Sequence, residues 1–393
     1  MQSIYRIQTK LNIYYGFGSF SKVGEMARQL GTKALIVSDA IMDGLGYVSQ
    51  CQSILQKENI SAVVYLGVKT EPTDQYVEEA LRLLEENGCD LIISIGGGSC
   101  IDTAKAVSVL AANPGHISDY ADPAKNPENP PVPHIAIPTT AGTGSEVTDV
   151  TVITITKTDV KQMVKRPAFL PAGAIVDPEL TMSSPKSVTA STGLDAMTHA
   201  IEAYISRKAQ PITDMIALAA LENLIPAIRT AYENGNDRDA RSKMAYGSML
   251  AGLAFSNASV CLVHGMSRPI GAVFHVPHGL SNAMLLPAVM EYTVDSCVER
   301  MAVIGRMFAG GQAKGSERDL AQLAIDKIKE LVADLNIPNL RDWGIEESVF
   351  VQHLPKMARD ALASGSPQNN PRVPTAEEII ELYKVCYAYD FGK

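Results

Sequence analysis

The sequence predicts an α/β domain built on a parallel sheet, followed by an all-helical domain. Two observations carry this reading. Through about residue 180, short β-branched runs alternate with amphipathic helical stretches, and from about Ser184 onward they give way to long helical periodicities. Length is a third, since 393 residues exceed the size at which one hydrophobic core usually stops growing. The predicted division is 1–183 and 184–393.

The opening MQSIYRIQTKLNIYYG alternates like a strand and has no apolar h-region. KALIVSD (33–39), SAVVYLG (61–67), DLIISIGGG (90–98) and HIAIPTT (134–140) read as further strands. Helical stretches such as TDQYVEEALRLLEENG separate them, with Gly88 placed to end the helix. Alternation of this kind gives a parallel sheet covered on both faces. ADPAKNPENPPVP (121–133) reads as a proline-rich surface loop. PAGAIVDPELTMSSPKSV, with Pro171, Pro178 and Pro185, reads as the connection between the domains, and the cleft between them is where a ligand is expected. Helices are then predicted over 187–205, 211–232, 237–257, 296–310, 316–335, 348–363 and 375–388.

The net charge of −9, without a long run of Lys or Arg, argues against a nucleic-acid partner. Six scattered cysteines without a C-x-x-C pair suit reduced thiols in a cytoplasmic enzyme, with neither disulfides nor cysteine-bound zinc. The sequence offers no run of about 18 uninterrupted apolar residues, so no membrane span is expected.

In ISIGGGSCIDTAKA, Gly96, Gly97 and Gly98 follow a strand and open a helix at about Ser99. Bare glycines let a diphosphate approach the backbone, and the free N–H groups of a helix start attract its charge. The pattern is not G-x-x-x-x-G-K-[ST], so an ATPase is disfavoured. TTAGTGSEVT (139–148) ends another strand at the carboxyl edge of the same sheet, where open α/β sheets bind ligands. Asp39 ends a strand about 20 residues after Gly16 and Gly18; its carboxylate either bonds the ribose hydroxyls of NAD and repels the 2′-phosphate of NADP, or merely caps the next helix.

Asp195 and His199 stand four apart in GLDAMTHAIEAY and so share one helix face. His264 and His278 bracket a short helix-like stretch ending at Pro277 and Gly279, which can fold both imidazoles towards one point. One carboxylate and three imidazoles suit Fe(II) or Zn(II) and do not separate them. Such an ion lowers the pKa of an alcohol or polarises an aldehyde carbonyl, so a metal-assisted nicotinamide dehydrogenase is the reading of the whole.

These residues resemble the iron-containing (group III) alcohol dehydrogenase family along essentially the whole chain. The matching motifs are GGGSCIDTAKA (96–106), TTAGTGSEVT (139–148), DPEL (177–180), STGLDAMTHAIEAY (191–204), MAYGSMLAGLAFSNAS (244–259) and the histidine-containing stretch 264–287. The resemblance implies a Rossmann-like first domain, a helical second domain, together a dehydroquinate synthase-like architecture, and a metal on Asp195, His199, His264 and His278. It implies NAD contacts from Asp39, Gly96, Gly97, Gly98, Ser99, Asp102, Thr139, Thr140, Thr143, Thr148 and Lys161. It also implies a homodimer or higher homo-oligomer, pairing through an N-terminal strand.

The chain departs from the family where relatives carry a histidine near the nicotinamide, proposed as a proton relay; here HGMSRP has Arg268. A guanidinium is no general base near neutral pH, so the proton is expected to leave through water, the ribose hydroxyls or another side chain, with His275 a candidate. Arg268, with Arg166, is instead a candidate clamp for a short alcohol or aldehyde carrying an acidic group, or else pairs with a structural carboxylate such as Glu146 or the NAD diphosphate. Val150 and Phe255 are expected to shape the substrate pocket. The alternatives are a hydroxyacid-oxoacid transhydrogenase and a dehydroquinate synthase-type lyase.

Overall fold

The computed structural model describes residues 6–7, 12–122, 124–158 and 160–392. It divides at Ser184/Pro185 into two compact units, Arg6 and Ile7 grouping with the second. The alternation expected over the first residues falls largely on 1–5 and 8–11, outside the described residues; Asn12–Tyr15 is strand β1.

The first unit holds β2 (Lys33–Val37), β3 (Ser61–Tyr65), β4 (Leu91–Gly96), β5 (His134–Pro138), the hairpin β6 (Val150–Ile155) and β7 (Val160–Lys165), and β8 (Gly173–Val176). Its helices are α1 (Val23–Ala27), α2 (Ala40–Gly44), α3 (Tyr47–Lys57), α4 (Asp74–Asn87) and α5 (Gly98–Leu110). Six strands form one parallel sheet in the order β1-β8-β5-β4-β2-β3. Because alternate strand residues face opposite ways, β2 feeds two cores. Leu35 and Val37 join Ala104 and Val107 of α5 on one face, and Ala34 and Ile36 join Val23, Val48 and Leu55 on the other. Burial on both faces explains why β2 and β4 read as continuous apolar runs.

The order places β2 between β3 and β4, so the chain reverses direction across the sheet at the β2/β4 pair. Ligands of open α/β sheets bind beyond the carboxyl ends of strands at such a switch point. Val37 is in register with Ser94, and Gly96 with Pro138. Three segments therefore emerge side by side: Asp39 after β2, Gly96–Gly98 after β4, and Thr139–Thr148 after β5.

Two elements differ from the sequence reading. The stretch taken as the connection contains β8, which pairs with both β1 and β5; its four residues GAIV are too short a run to stand out among the flanking prolines. The antiparallel β6–β7 hairpin was not anticipated, because polar residues interrupt its second strand, VKQMVK.

The second unit is built of α6 (Lys186–Ile205), α7 (Pro211–Glu233), α8 (Arg238–Ala258), α9 (Leu262–Phe274), α10 (His278–Thr293), α11 (Val298–Phe308), α12 (Glu317–Asp334), α13 (Glu347–Ala363) and α14 (Ala376–Tyr387). The long predicted helices are present with each end within two residues of the prediction, α11 being shorter by two at both ends. The sequence showed α9 only as a helix-like stretch and missed α10, whose apolar residues run all round it: a fully buried helix has no amphipathic period to detect. By length and composition α7 could cross a membrane, but its Ala217, Ala220, Leu221, Leu224 and Ile228 are buried and it packs against α6 and α8.

Candidate metal centre and cofactor turn

Asp195 and His199 lie one turn apart on α6, and both are almost completely buried. His264 is the third residue of α9, and His278 opens α10. The four candidate donor atoms lie within 4.8 Å of one another. The Asp195 carboxylate is 3.5 Å from His264 Nε2, 3.9 Å from His278 Nε2 and 4.0 Å from His199 Nδ1. Ligands held at about 2.1 Å from one ion stand roughly 3 to 4 Å apart, so the cluster fits a divalent cation. His278 is the one member with substantial exposure, its side chain 35% accessible.

Gly279 makes this approach possible. A Cβ there would lie 2.7 Å from the backbone oxygen of Ser191 and 3.3 Å from Asp195 Cβ. Only a glycine lets the start of α10 lie this close to α6 and set His278 beside Asp195. Phe255, from α8, stacks on the His199 ring with centroids 4.2 Å apart, and His199 stacks on His264 at 4.3 Å. The site is thus walled by flat apolar surface on the α8 side.

The electrostatics agree with the geometry. Burial opposes the Asp195 charge, but His199, His278 and His264 outweigh it and hold the carboxyl well below the usual range. His264 Nδ1 is 2.6 Å from Glu202 Oε2, while its buried Nε2 has no hydrogen-bond partner. An imidazole with one nitrogen bonded to a carboxylate and the other unpartnered beside three more donors is arranged as a metal ligand. Asn282 Nδ2 donates to Asp195 Oδ1 at 2.6 Å.

The sequence reading missed Glu202 and Asn282. Both had a signal, for Glu202 stands seven residues beyond Asp195 and Asn282 four beyond His278, each on its ligand's helix face.

In the first unit, the turn between β4 and α5 is built as a cradle. No side chain caps the start of α5, whose N-cap is Gly97. A Cβ on Gly97 would meet only Thr140, at 3.6 Å, whereas one on Gly98 would strike Thr143 at 2.8 Å. Thr139 N–H donates to Gly96 O, tying the two turns together. This open backbone at a helix start fits a cofactor diphosphate. Asp39 Oδ1 accepts from the N–H groups of Ile41 and Met42, so it does cap α2. Its other oxygen faces the glycine turn, 3.6 Å from Cys100 Sγ.

Lys105, also missed, organises the neighbourhood. It is fully buried, and its Nζ donates to Ser145 Oγ, Thr148 Oγ1 and Val150 O at 2.7 to 2.9 Å. Burial lowers its ammonium to about 8, against the opposing pull of Asp102. Asp102 accepts from Ser145 Oγ at 2.5 Å and from Val152 N–H at 2.8 Å. Asp102, Thr148 and Val150 therefore belong to one buried polar network joining α5, the Thr139–Thr148 turn and β6. Lys161, on β7, pairs with Glu71. Arg166 donates to the carbonyls of Asp122 and Lys125 and fastens the proline-rich loop.

Arg268 is 9% exposed and its Nη1 donates to Ser366 Oγ at 2.9 Å. Burial lowers the guanidinium to about 10, with the Glu202 carboxylate opposing that shift. Glu146 is itself buried in the first unit and shares its polar surroundings with Lys105. His275 ends α9 with a left-handed backbone and an exposed side chain.

Comparison with known proteins agrees with this chemistry. Residues 11–178 match the family model described as iron-containing alcohol dehydrogenase, and 189–387 match that of the Fe-containing alcohol dehydrogenase family, C-terminal. The chain is 39% identical to long-chain-alcohol dehydrogenase 1 of Geobacillus thermodenitrificans over 380 residues, 95% of each chain. It is 40% identical to the 1,3-propanediol dehydrogenase of Citrobacter freundii over 381 residues, 95% of this chain and 96% of that one. It is 36% identical to the NAD-dependent methanol dehydrogenase of Bacillus methanolicus over 371 residues, 94% and 96% of the two chains. A crystal structure of 1,3-propanediol oxidoreductase superposes with a TM-score of 0.93 at 36% identity, covering 98% of this chain and 100% of that one. The chain belongs to the iron-containing alcohol dehydrogenase family.

Proposed function

We propose that this protein interconverts a small alcohol and its aldehyde with NAD(H), using a divalent ion held by Asp195, His199, His264 and His278. The observation that carries this reading is the buried cluster of one carboxylate and three imidazoles in which His264 offers an unpartnered Nε2. When bound, the ion supplies Lewis acidity that favours the alkoxide of the alcohol and polarises the aldehyde carbonyl, and the nicotinamide supplies or takes the hydride. Fe(II) is proposed from the family, and the donor set accepts Zn(II) equally.

The protein's own groups divide the work. Gly96, Gly97, Gly98 and Ser99 receive the diphosphate on bare backbone at the start of α5. The second carboxylate oxygen of Asp39, beside the glycine turn, is our candidate acceptor for the ribose hydroxyls and would repel a 2′-phosphate, favouring NAD over NADP. Thr139, Thr140 and Thr143 line the same turn; Asp102, Thr148 and Lys105 hold its shape, and Lys161 takes the ribose side. Phe255 keeps one flank of the metal cluster apolar and excludes water from it. His275 is exposed and is the proposed group for passing the alcohol proton to solvent.

We assign the substrate to neutral short alcohols and aldehydes rather than acidic ones. Arg268 is buried and already bonded to Ser366, and Arg166 is occupied by loop carbonyls. A cytoplasmic homodimer is our further reading, β1 lying at the edge of the sheet where a second strand can pair. The test is NADH oxidation by anaerobically purified, Fe(II)-loaded protein with neutral aldehydes and their carboxylate and sulfonate analogues. Turnover of the neutral members supports the proposal. Metal-independent turnover, or strict preference for the acidic members, contradicts it.

A further inference from the structure

We infer that Glu202 is the positioning residue of the metal centre: it fixes His264 in the tautomer that can coordinate, and it anchors the helix on which His264 stands. This rests on the metal-site reading above. Asp195, His199 and Glu202 occupy positions i, i+4 and i+7 of α6, so a single helix face carries two ligands and the carboxylate that aims a third. Glu202 is fully buried. Its Oε1 accepts from Val263 N–H at 2.6 Å, and its Oε2 from Cys261 N–H at 2.9 Å and His264 Nδ1 at 2.6 Å.

Cys261 is the N-cap of α9 and lacks a side-chain cap of its own. Glu202 therefore supplies, from another helix, the negative charge that the exposed N–H groups and dipole of a helix start favour. The same carboxylate can only accept from Nδ1, so the Nδ1 proton stays there and Nε2 keeps its lone pair for the ion. Carboxylate, imidazole and metal in series also make the imidazole a stronger donor. Arg268, one turn after His264, balances this buried charge.

Glu202→Gln changes tautomer control while keeping the side chain's shape and one of its two hydrogen bonds to the α9 backbone. The amide is nearly the same shape, and its oxygen still accepts from Val263 N–H, but Cys261 N–H, which shares Oε2 with His264 Nδ1, loses its acceptor. The amide NH2 group then donates to Nδ1, which selects the tautomer with the proton on Nε2. The test is titration of the full-length, metal-free protein with Co(II) against a competing chelator, reading the visible d–d spectrum as well as affinity. Thermal melting of the metal-free forms is measured alongside. The expected result for Glu202→Gln is 10- to 100-fold weaker Co(II) binding with an altered spectrum, and metal-free melting lowered only by the loss of the single Cys261 hydrogen bond. Wild-type affinity and spectrum in Glu202→Gln overturn the inference, as does a fall in metal-free melting with the metal affinity untouched.

Should Glu202→Gln not fold, Glu202→Asp retains the charge but withdraws it by one methylene. Weakened Co(II) binding then supports the inference and unchanged binding overturns it. His264→Ala distinguishes the two levels of the account. If it binds Co(II) like wild type, the metal-site reading itself fails; if it loses the metal while the Glu202 variants keep it, only the role of Glu202 fails.

Discussion

Gly97→Ala isolates the cofactor turn from the fold. The Gly97 backbone, at φ −73° and ψ −171°, is extended and open to any residue. The nearest atoms to a new Cβ are Thr140 Oγ1 at 3.6 Å and Cγ2 at 3.7 Å, ordinary van der Waals contacts, so nothing must move. The stability cost is that of alanine for glycine at an N-cap, about 0.5–1 kcal/mol. In a unit of this size it lowers Tm by at most about 4 °C. The methyl group nonetheless projects over the bare helix start where the diphosphate is proposed to lie. NADH affinity is therefore expected to fall at least about tenfold, or ~1.4 kcal/mol. Fluorescence titration of NADH into metal-free protein reads the affinity, and thermal melting reads the fold. Unchanged NADH affinity in a well-folded variant would refute the placement of the diphosphate. Gly98→Ala, whose Cβ meets Thr143 at 2.8 Å, is expected to lose both stability and affinity and so cannot make this distinction.

Gly279→Ala should displace the start of α10, since its Cβ meets the Ser191 backbone oxygen at 2.7 Å; metal affinity is expected to drop more than tenfold, by chelator competition, and an unchanged affinity would mean that α10 yields without moving His278. Glu146 is buried, and burial lifts its carboxyl to about 7 against the opposing pull of its own backbone N–H and of Lys105. Its folded pKa thus lies above its unfolded value near 4.5, so its contribution is fully present below about pH 4.5 and is lost as pH rises through 7. Glu146→Gln is accordingly expected to gain about 3 kcal/mol on wild type between pH 4.5 and 8 in denaturant titrations, and a pH-independent difference would show that the carboxylate is not strained by burial. Arg268→Met should lower kcat/KM equally for neutral and acidic aldehydes, because the guanidinium holds Ser366 and balances Glu202; a loss confined to acidic substrates would make it a substrate clamp.

The parts of the fold legible in the sequence are those with a strong local period. The fully buried strands β2, β4 and β5 and the long helices from α6 to α8 were plain because their apolar patterns span several residues. β8 was hidden by its brevity and its prolines, and α10 by its uniformly apolar surface, which removes the helical period. At the site, the candidate metal ligands were legible because Asp195 and His199 share a helix face and histidines are few. Their supports were not. Glu202 acts on His264 across 62 positions, and Lys105 reaches Ser145 and Thr148 across about 40; only the packing of helices and turns brings such pairs together. Asp39 shows the opposite limit: of its two sequence readings the cap is the one seen, one oxygen accepting from the start of α2 and the other from Cys100 Sγ beside the glycine turn.

The central claim is that Asp195, His199, His264 and His278 bind one divalent ion on which aldehyde reduction depends. Its most direct test is anaerobic titration of metal-free protein with Fe(II), following bound metal and NADH-dependent aldehyde reduction in the same samples. Activity is expected to rise in proportion to bound iron and to saturate at one ion per chain, with Asp195→Asn and His264→Ala binding none at the same free iron. Full activity in the metal-free protein, or undiminished iron binding by both variants, would contradict the claim.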